Sequence, residues 1–312
     1  HQKRFQKMIF GILFLSQTGI GILGNSLILV VNSYIAFAKP SQSKCTDKIL
    51  TQLTFANLAT VSSRGVPESM FSFGIRHTLN DVGCKVVMYI YCVTRAHSIC
   101  TTCLLSIIQA IILSPNTSRW PWLKFRATNF IHPLSFFFWA LNMFLNTNVI
   151  IETTATKNYT SCKHQFYMKY CSSKSMYLVF VFQMVIRDVF MLFFMTLSSV
   201  YIVILLCKHQ KKVQEMHKSR HIQKCSPGTR ATKTILFLVT TFVSFYLINS
   251  FLTVHIAFAN QKDIKLQSLN CLSSFCYPVL CPFLLIHTDS RISKALSDLR
   301  RVHKSSAPKA VN

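Results

Sequence analysis

Residues 84–113 read CKVVMYIYCVTRAHSICTTCLLSIIQAIIL, and their character decides the fold. Lys85 at the edge and Arg95 inside are the full charges, and no Gly or Pro interrupts the run. At 1.5 Å per residue such a helix exceeds the roughly 30 Å hydrocarbon core of a bilayer, which about 20 apolar residues suffice to cross. In lipid every backbone polar group must be bonded internally, and a helix does that within one segment. The stretch reads as a transmembrane helix.

The same reading applied outward finds six more spans, at about 8–35, 48–73, 130–151, 176–207, 231–259 and 267–287. Loop material separates them: Lys39 to Lys44 with a Pro, Gly74 to Gly83, Pro115 to Asn129, Thr153 to Ser175, Lys208 to Arg230 and Asn260 to Leu266. The second and fourth spans are the most polar. The expected architecture is an all-α bundle of seven transmembrane helices, one domain over residues 1–312 with a short tail from 288. The apolar run from Met8 is too long for a signal-peptide core and lacks a small-residue cleavage site, so it reads as the first span.

Bulk composition agrees. The chain is 51% hydrophobic and 14% charged, with 26 Phe and a mean hydropathy of +0.36. A soluble fold of this size would leave large apolar patches in water. The net charge of +25 does not mark a nucleic-acid binder, because the basic residues are scattered over many short loops and form no single face. Their distribution sets orientation instead. The first, third and fifth loops and the tail carry 20 Lys and Arg; the N-terminus and even-numbered loops carry 11. Lys and Arg accumulate on the cytoplasmic side, so the N-terminus is expected outside and the C-terminus inside.

That topology places the sequon Asn158-Tyr159-Thr160 in the secretory lumen, where Asn158 is the expected glycosylation site. Asn116-Thr117-Ser118 falls on the cytoplasmic side and should stay bare. Most of the twelve Cys lie within spans as packing residues. Cys84, Cys162 and Cys171 lie on the oxidising side, and a bond from either loop cysteine to Cys84 would staple the fourth loop across the mouth of the bundle. Neither paired metal-ligand spacing nor a phosphate-binding Gly-rich loop occurs, so no metal, cofactor or enzyme chemistry is expected. In the tail, Asp289 is the expected N-cap of a short helix. Ile292, Leu296 and Leu299 recur on one face of it amid Arg and Lys, a pattern that suits the inner membrane surface and equally a plain solvated helix.

Ionisable residues inside spans are costly and usually face the bundle interior. Arg64 and Glu68 stand i, i+4 in the second span, on either side of Pro67, and can satisfy each other on one helix face. Arg95 lies about 16 Å into the third span and Asp188 about 18 Å into the fifth, counting 1.5 Å per residue. The matching depth permits either a buried ion pair or a polar floor to a ligand cavity. Arg187 points about 100° away from Asp188 on the same helix. Tyr91, Phe251, His255 and Asn270, in the outer halves of their spans, complete the candidate binding set. Seven residues after Cys84 the third span carries the neutral Tyr91 and no negative charge, so an ammonium ligand is disfavoured and a neutral or anionic small molecule fits better.

Seven spans with a Cys opening the third resemble the rhodopsin-like receptor plan. The departures are specific: Ser106-Ile107-Ile108-Gln109-Ala110-Ile111 replaces the acidic-Arg-aromatic triplet, the sixth span lacks a Pro, and Cys281-Pro282-Phe283-Leu284-Leu285 stands for Asn-Pro-x-x-Tyr. The run from Ser98-Ile99-Cys100-Thr101-Thr102-Cys103 through Ser114-Pro115 resembles vomeronasal type-1 receptors. So do Gln17 to Asn25, Gly65-Val66-Pro67, the Asn158 sequon, the run from His209 to His217, Arg230-Ala231-Thr232, and Pro278 with Pro282-Phe283. The resemblance covers almost the whole chain. It implies a plasma-membrane chemosensory G-protein-coupled receptor for pheromones or related small molecules, signalling through Gi/Go-type heterotrimers. It implies a Cys84–Cys171 disulfide, Cys171 being preferred to Cys162 because it closely precedes the fifth span. It also places G-protein contact on Lys208 to Lys233, with Lys211, Lys212 and Lys218, and on Gln109 to Arg126. A bitter-taste-type receptor shares the missing triplet but not the Pro282-Phe283-Leu284-Leu285-Ile286 ending. A retinal-binding opsin needs a seventh-span Lys, and 267–287 has none. A channel or transporter would want an internal repeat, broken helices or a continuous polar stripe, and the sequence offers none.

Overall fold

The computed structural model describes residues 2–75, 79–115, 121–155, 166–167, 171–173, 177–216, 227–258 and 264–306. Seven long helices dominate them: α1 (Gln2–Ala38), α2 (Cys45–Ser72), α3 (Asp81–Leu113), α4 (Pro121–Leu145), α6 (Tyr177–Met216), α7 (Pro227–Phe258) and α8 (Ile264–Thr288). Two shorter ones, α5 (Thr147–Glu152) and α9 (Ser290–Ser306), follow α4 and α8. Apart from α2, each long helix carries a stretch that is long and apolar enough to cross a membrane. Helix α2 falls short because it carries the polar residues Asn57, Thr60, Arg64, Glu68 and Ser69, all of them buried. Together the seven form an all-α bundle.

The bundle is turned inside out relative to a soluble protein. Phe136, Phe144, Ile186 and Phe251 are each two-thirds or more exposed, whereas Asn25, Asn57, Thr102 and Asn142 are fully buried. With lipid outside, apolar side chains lose nothing by exposure, and polar ones find partners only in the interior. Helix α3 is the axis. It packs on α2, α4, α6 and α7, and every residue from Tyr91 to Ser106 is buried.

Helix ends and kinks have local causes. Pro282 has no N–H to give the Pro278 carbonyl one turn back. Asn25 of α1 supplies the missing donor: its Nδ2 reaches the Pro278 oxygen at 2.9 Å and the Gly21 oxygen at 2.8 Å. Helix α2 ends at Gly74, whose φ of +95° suits glycine; the Ile75 and Gly74 amides close back onto Met70 and Phe71. Helices α1 and α2 meet closely at Gly65, where an added Cβ would lie 2.4 Å from the Thr18 hydroxyl oxygen.

Two expectations gain detail from the structure. The fourth span, expected over about 130–151, matches the apolar stretch Asn129–Glu152, although its helix already begins at Pro121 and is interrupted at Asn146. There the Asn142 and Asn146 amides bond the carbonyls of Phe138 and Asn142, and Asn146 leaves the helical conformation. The loop after it is partly extended. Strands β1 (Thr153–Ala155), β2 (Phe166–Tyr167) and β3 (Cys171–Ser173) form a small antiparallel sheet with β3 central. Cys171 on β3 is bonded to Cys84 on α3, with 5.8 Å between their Cα atoms, and the Ala155 amide donates to Asp81 at 2.7 Å.

The tail helix is the second. Asp289 does cap α9, accepting from the Arg291 amide at 3.0 Å. Its apolar face, however, lies on the bundle: Ile292 and Ala295 are buried in the main core beside Ile35, Leu285 and Ile49, with Leu296 packed against them. Arg291 grips Asp47 of α2 with both Nη atoms at 2.9 Å, the Gln42 carbonyl at 2.7 Å and Asp289 at 2.8 Å. Lys39 bonds Asp298 at 2.6 Å. That hydrogen bond raises the Lys39 pKa and lowers that of Asp298.

Candidate ligand site

A small cavity opens between α2, α3, α7 and α8. Arg95, Ser98, Tyr246, Asn249, Ser273 and Tyr277 supply its polar lining, and Ile99, Phe242 and Phe245 its apolar wall. A few convergent polar groups in an otherwise apolar hollow are what an orienting small-molecule site requires.

The charged centre lies at Arg95. Its Nη1 is 3.6 Å from Asp188 of α6, and both side chains are nearly inaccessible. Asp188 has two further partners. Arg187 donates to it from Nε at 3.1 Å and Nη2 at 2.9 Å, and the Tyr246 hydroxyl donates to its other oxygen. The Arg95 guanidinium also lies over the Tyr246 ring, 4.7 Å from its centroid. One carboxylate thus answers two guanidiniums. The cluster keeps one excess positive charge, and Arg95 presents it to the cavity.

The Asn249 amide carries the network on to α8. With its oxygen toward Arg95 it accepts from Nη2 at 2.8 Å and donates to Asn270 Oδ1 at 2.9 Å, whereas the opposite orientation would set like groups face to face. Asn270 further accepts from Thr253 at 3.3 Å.

The residues singled out from sequence therefore divide. Arg95 lines the cavity, and Asp188 and Arg187 stand behind it. Asn270 joins through Asn249. Tyr91 belongs to a neighbouring cluster: its hydroxyl accepts from Arg64 at 2.7 Å and its ring lies 4.8 Å from that guanidinium carbon. Phe251 and His255 depart from the expectation. Phe251 is 71% exposed, His255 is exposed beside it, and neither lines the cavity. Helical phase explains this. Tyr246, Asn249 and Thr253 stand at i, i+3 and i+7 on the inner face of α7, and Phe251 is about 200° round from Asn249. Tyr246 and Asn249 were missed, although a polar stripe along an apolar helix marks the face turned to its neighbours.

At the opposite end, Gln109 is buried while Arg126 and Lys211 are exposed. Asn158 and Lys218, and the side chain of Lys212, lie outside the described residues.

Comparison with known proteins decides the family. The profile of the vomeronasal organ pheromone receptor family matches residues 8–298. The chain belongs to this family. It is 36% identical to human vomeronasal type-1 receptor 1 over 296 residues, covering 93% of this chain and 83% of that protein. To human vomeronasal type-1 receptor 4 it is 34% identical over 285 residues, covering 90% and 94%. Olfactory receptor class A-like protein 1 of Danio rerio is 31% identical over 291 residues, covering 91% and 90%. The receptor is thus a chemosensory G-protein-coupled receptor and a multi-pass plasma-membrane protein, not an enzyme.

Proposed function

We propose that the receptor binds a small pheromone-like molecule in the Arg95 cavity and signals through Gi/Go-type heterotrimers. The observation that carries the ligand reading is the excess guanidinium at the cavity wall: Arg95 shares Asp188 with Arg187. An ammonium group there would meet a like charge in a poorly screened site, whereas an anionic group or strong acceptor would complete the coordination of Arg95. The N-terminus is outside and the tail in the cytoplasm. The Lys and Arg excess of the odd loops and tail supports this orientation, as does a disulfide at the other end, in the oxidising compartment. Asn158 then carries the glycan, and Gln109, Arg126, Lys211, Lys212 and Lys218 meet the G protein.

The test is a calcium and cAMP assay of receptor-expressing cells against matched small carboxylic acids, neutral analogues and amines. Responses to acids or neutral acceptors, abolished by pertussis toxin, are expected. A preference for amines would overturn the ligand reading. A toxin-resistant, purely electrical response would overturn the coupling.

A further inference from the structure

We propose that the face formed by the α1–α2 turn and the outer side of α9 is a binding surface for anionic phospholipid headgroups of the inner leaflet. This rests on the orientation given above. Three observations converge on it.

The first is where the lipid-facing surface of α1 stops. Leu23, Val30 and Phe37, spaced seven apart on one helix face, are 73%, 56% and 88% exposed. This apolar stripe ends at Phe37, and Lys39, Lys44 and Lys48 follow at once. Cations just past the end of a hydrocarbon-facing stripe stand at headgroup depth.

The second is an accounting of charge. The acids of the α1–α2 turn and α9 are Asp47, Asp289 and Asp298. Arg291 holds the first two and Lys39 the third. Among the described residues, Lys44, Lys48 and Lys294 are exposed and stand outside these pairs, and Arg301, also exposed, lies near Asp298 and helps to lower its pKa. Internal pairing fixes the scaffold, and the exposed cations leave this face with a net positive charge.

The third is that α9 does not bury an apolar side in the bilayer. Ile292 and Ala295 are in the bundle core. What α9 turns outward is charge, with Lys294 and Arg301 seven residues apart on one face. Continuity with the apolar stripe of α1 favours a lipid partner over a protein one. The chemistry fits phosphate and carboxylate headgroups, to which Lys and Arg near the membrane surface are attracted.

The experiment uses the full-length receptor in nanodiscs of phosphatidylcholine, or of phosphatidylcholine with phosphatidylserine, with retained lipids counted by native mass spectrometry. The wild type should enrich phosphatidylserine several-fold, the enrichment should fall with added salt, and inorganic phosphate should not compete at millimolar concentration. A variant carrying Lys44→Gln, Lys48→Gln, Lys294→Gln and Arg301→Gln should lose the enrichment while unfolding at the wild-type temperature in pure phosphatidylcholine. Absence of enrichment in the wild type, or its persistence in the variant, would refute the proposal. So would intact lipid selectivity with lost G-protein coupling in the variant, which would make this a protein-docking face. Because nanodiscs carry the anionic lipid in both leaflets, the lipid result is independent of orientation. A tail epitope detected on intact cells would overturn the orientation and, with it, the assignment to the inner leaflet.

Discussion

Removing Asp188 should do about twice the harm of removing Arg95, although the two are partners. Asp188 lies 2.9 Å from Arg187 and 3.6 Å from Arg95. At an effective dielectric of about 20 these separations give gross attractions of about 5.7 and about 4.6 kcal/mol. Asp188→Ala removes both, and also the acceptor of the Tyr246 hydroxyl. It leaves two buried guanidiniums repelling each other. Arg95→Ala removes the weaker attraction and leaves Asp188 held by Arg187 and Tyr246. Breaking a buried pair by removing one member costs about 3–5 kcal/mol net. That range suits Asp188→Ala, and about 2 kcal/mol suits Arg95→Ala. The double variant should cost less than the sum, because losing Arg95 also relieves the repulsion that Asp188→Ala creates; a coupling of about 1–3 kcal/mol is expected for residues in contact. Thermal unfolding of the purified receptor, followed with a thiol-reactive dye, reads this directly because Cys92, Cys100, Cys103 and Cys281 are buried and free. Should Asp188→Ala fail to fold, Asp188→Asn keeps an acceptor for Tyr246 and should fall between wild type and Arg95→Ala plus Asp188→Ala. Equal losses from the two single variants, or strict additivity in the double, would refute the shared-carboxylate reading.

Other outcomes follow from single contacts. Cys171→Ser opens a link across 87 residues of chain, and the chain-entropy account assigns such a loop about 4–5 kcal/mol; non-reducing peptide mapping should recover a Cys84–Cys171 pair, and surface expression of the variant should drop. Asn25→Leu leaves the Pro278 carbonyl without its donor and should destabilise by about 1–3 kcal/mol, seen as an earlier unfolding transition. The Lys39–Asp298 bond lowers the carboxyl pKa, so its contribution is present above the ordinary value of 3.8 and lost as pH falls through the depressed one. It also raises the ammonium pKa, so that share is present below 10.5 and lost as pH rises through the raised one. Hydrogen-exchange protection of α9 should therefore stay level between these limits. Replacing Lys211, Lys212 and Lys218 together by Glu should weaken G-protein activation at unchanged surface level; full activation in a nucleotide-exchange assay would clear this loop of the role.

Hydropathy and length alone determined the bundle, because crossing lipid leaves a chain little choice but helices of about 20 apolar residues. The Ser98 to Pro115 run and its companions identified the family from residues in order, without geometry. Matching depth also set Arg95 against Asp188, since on facing helices depth is a one-dimensional quantity that a count of residues supplies. Rotation about the helix axis is what a count of residues does not supply. Phe251 and His255 have the right depth and the wrong phase, whereas Tyr246 and Asn249 have the right phase. Long-range partners were equally beyond reach. That Asn25 supplies the donor Pro282 lacks and that Arg291 fastens the tail to Asp47 are facts of packing between segments up to 253 residues apart. The apolar face of α9 suits a membrane surface and a protein core equally well, because both offer escape from water. Only the tertiary structure, by placing the ends of α1 and α8 beside it, decided for the core.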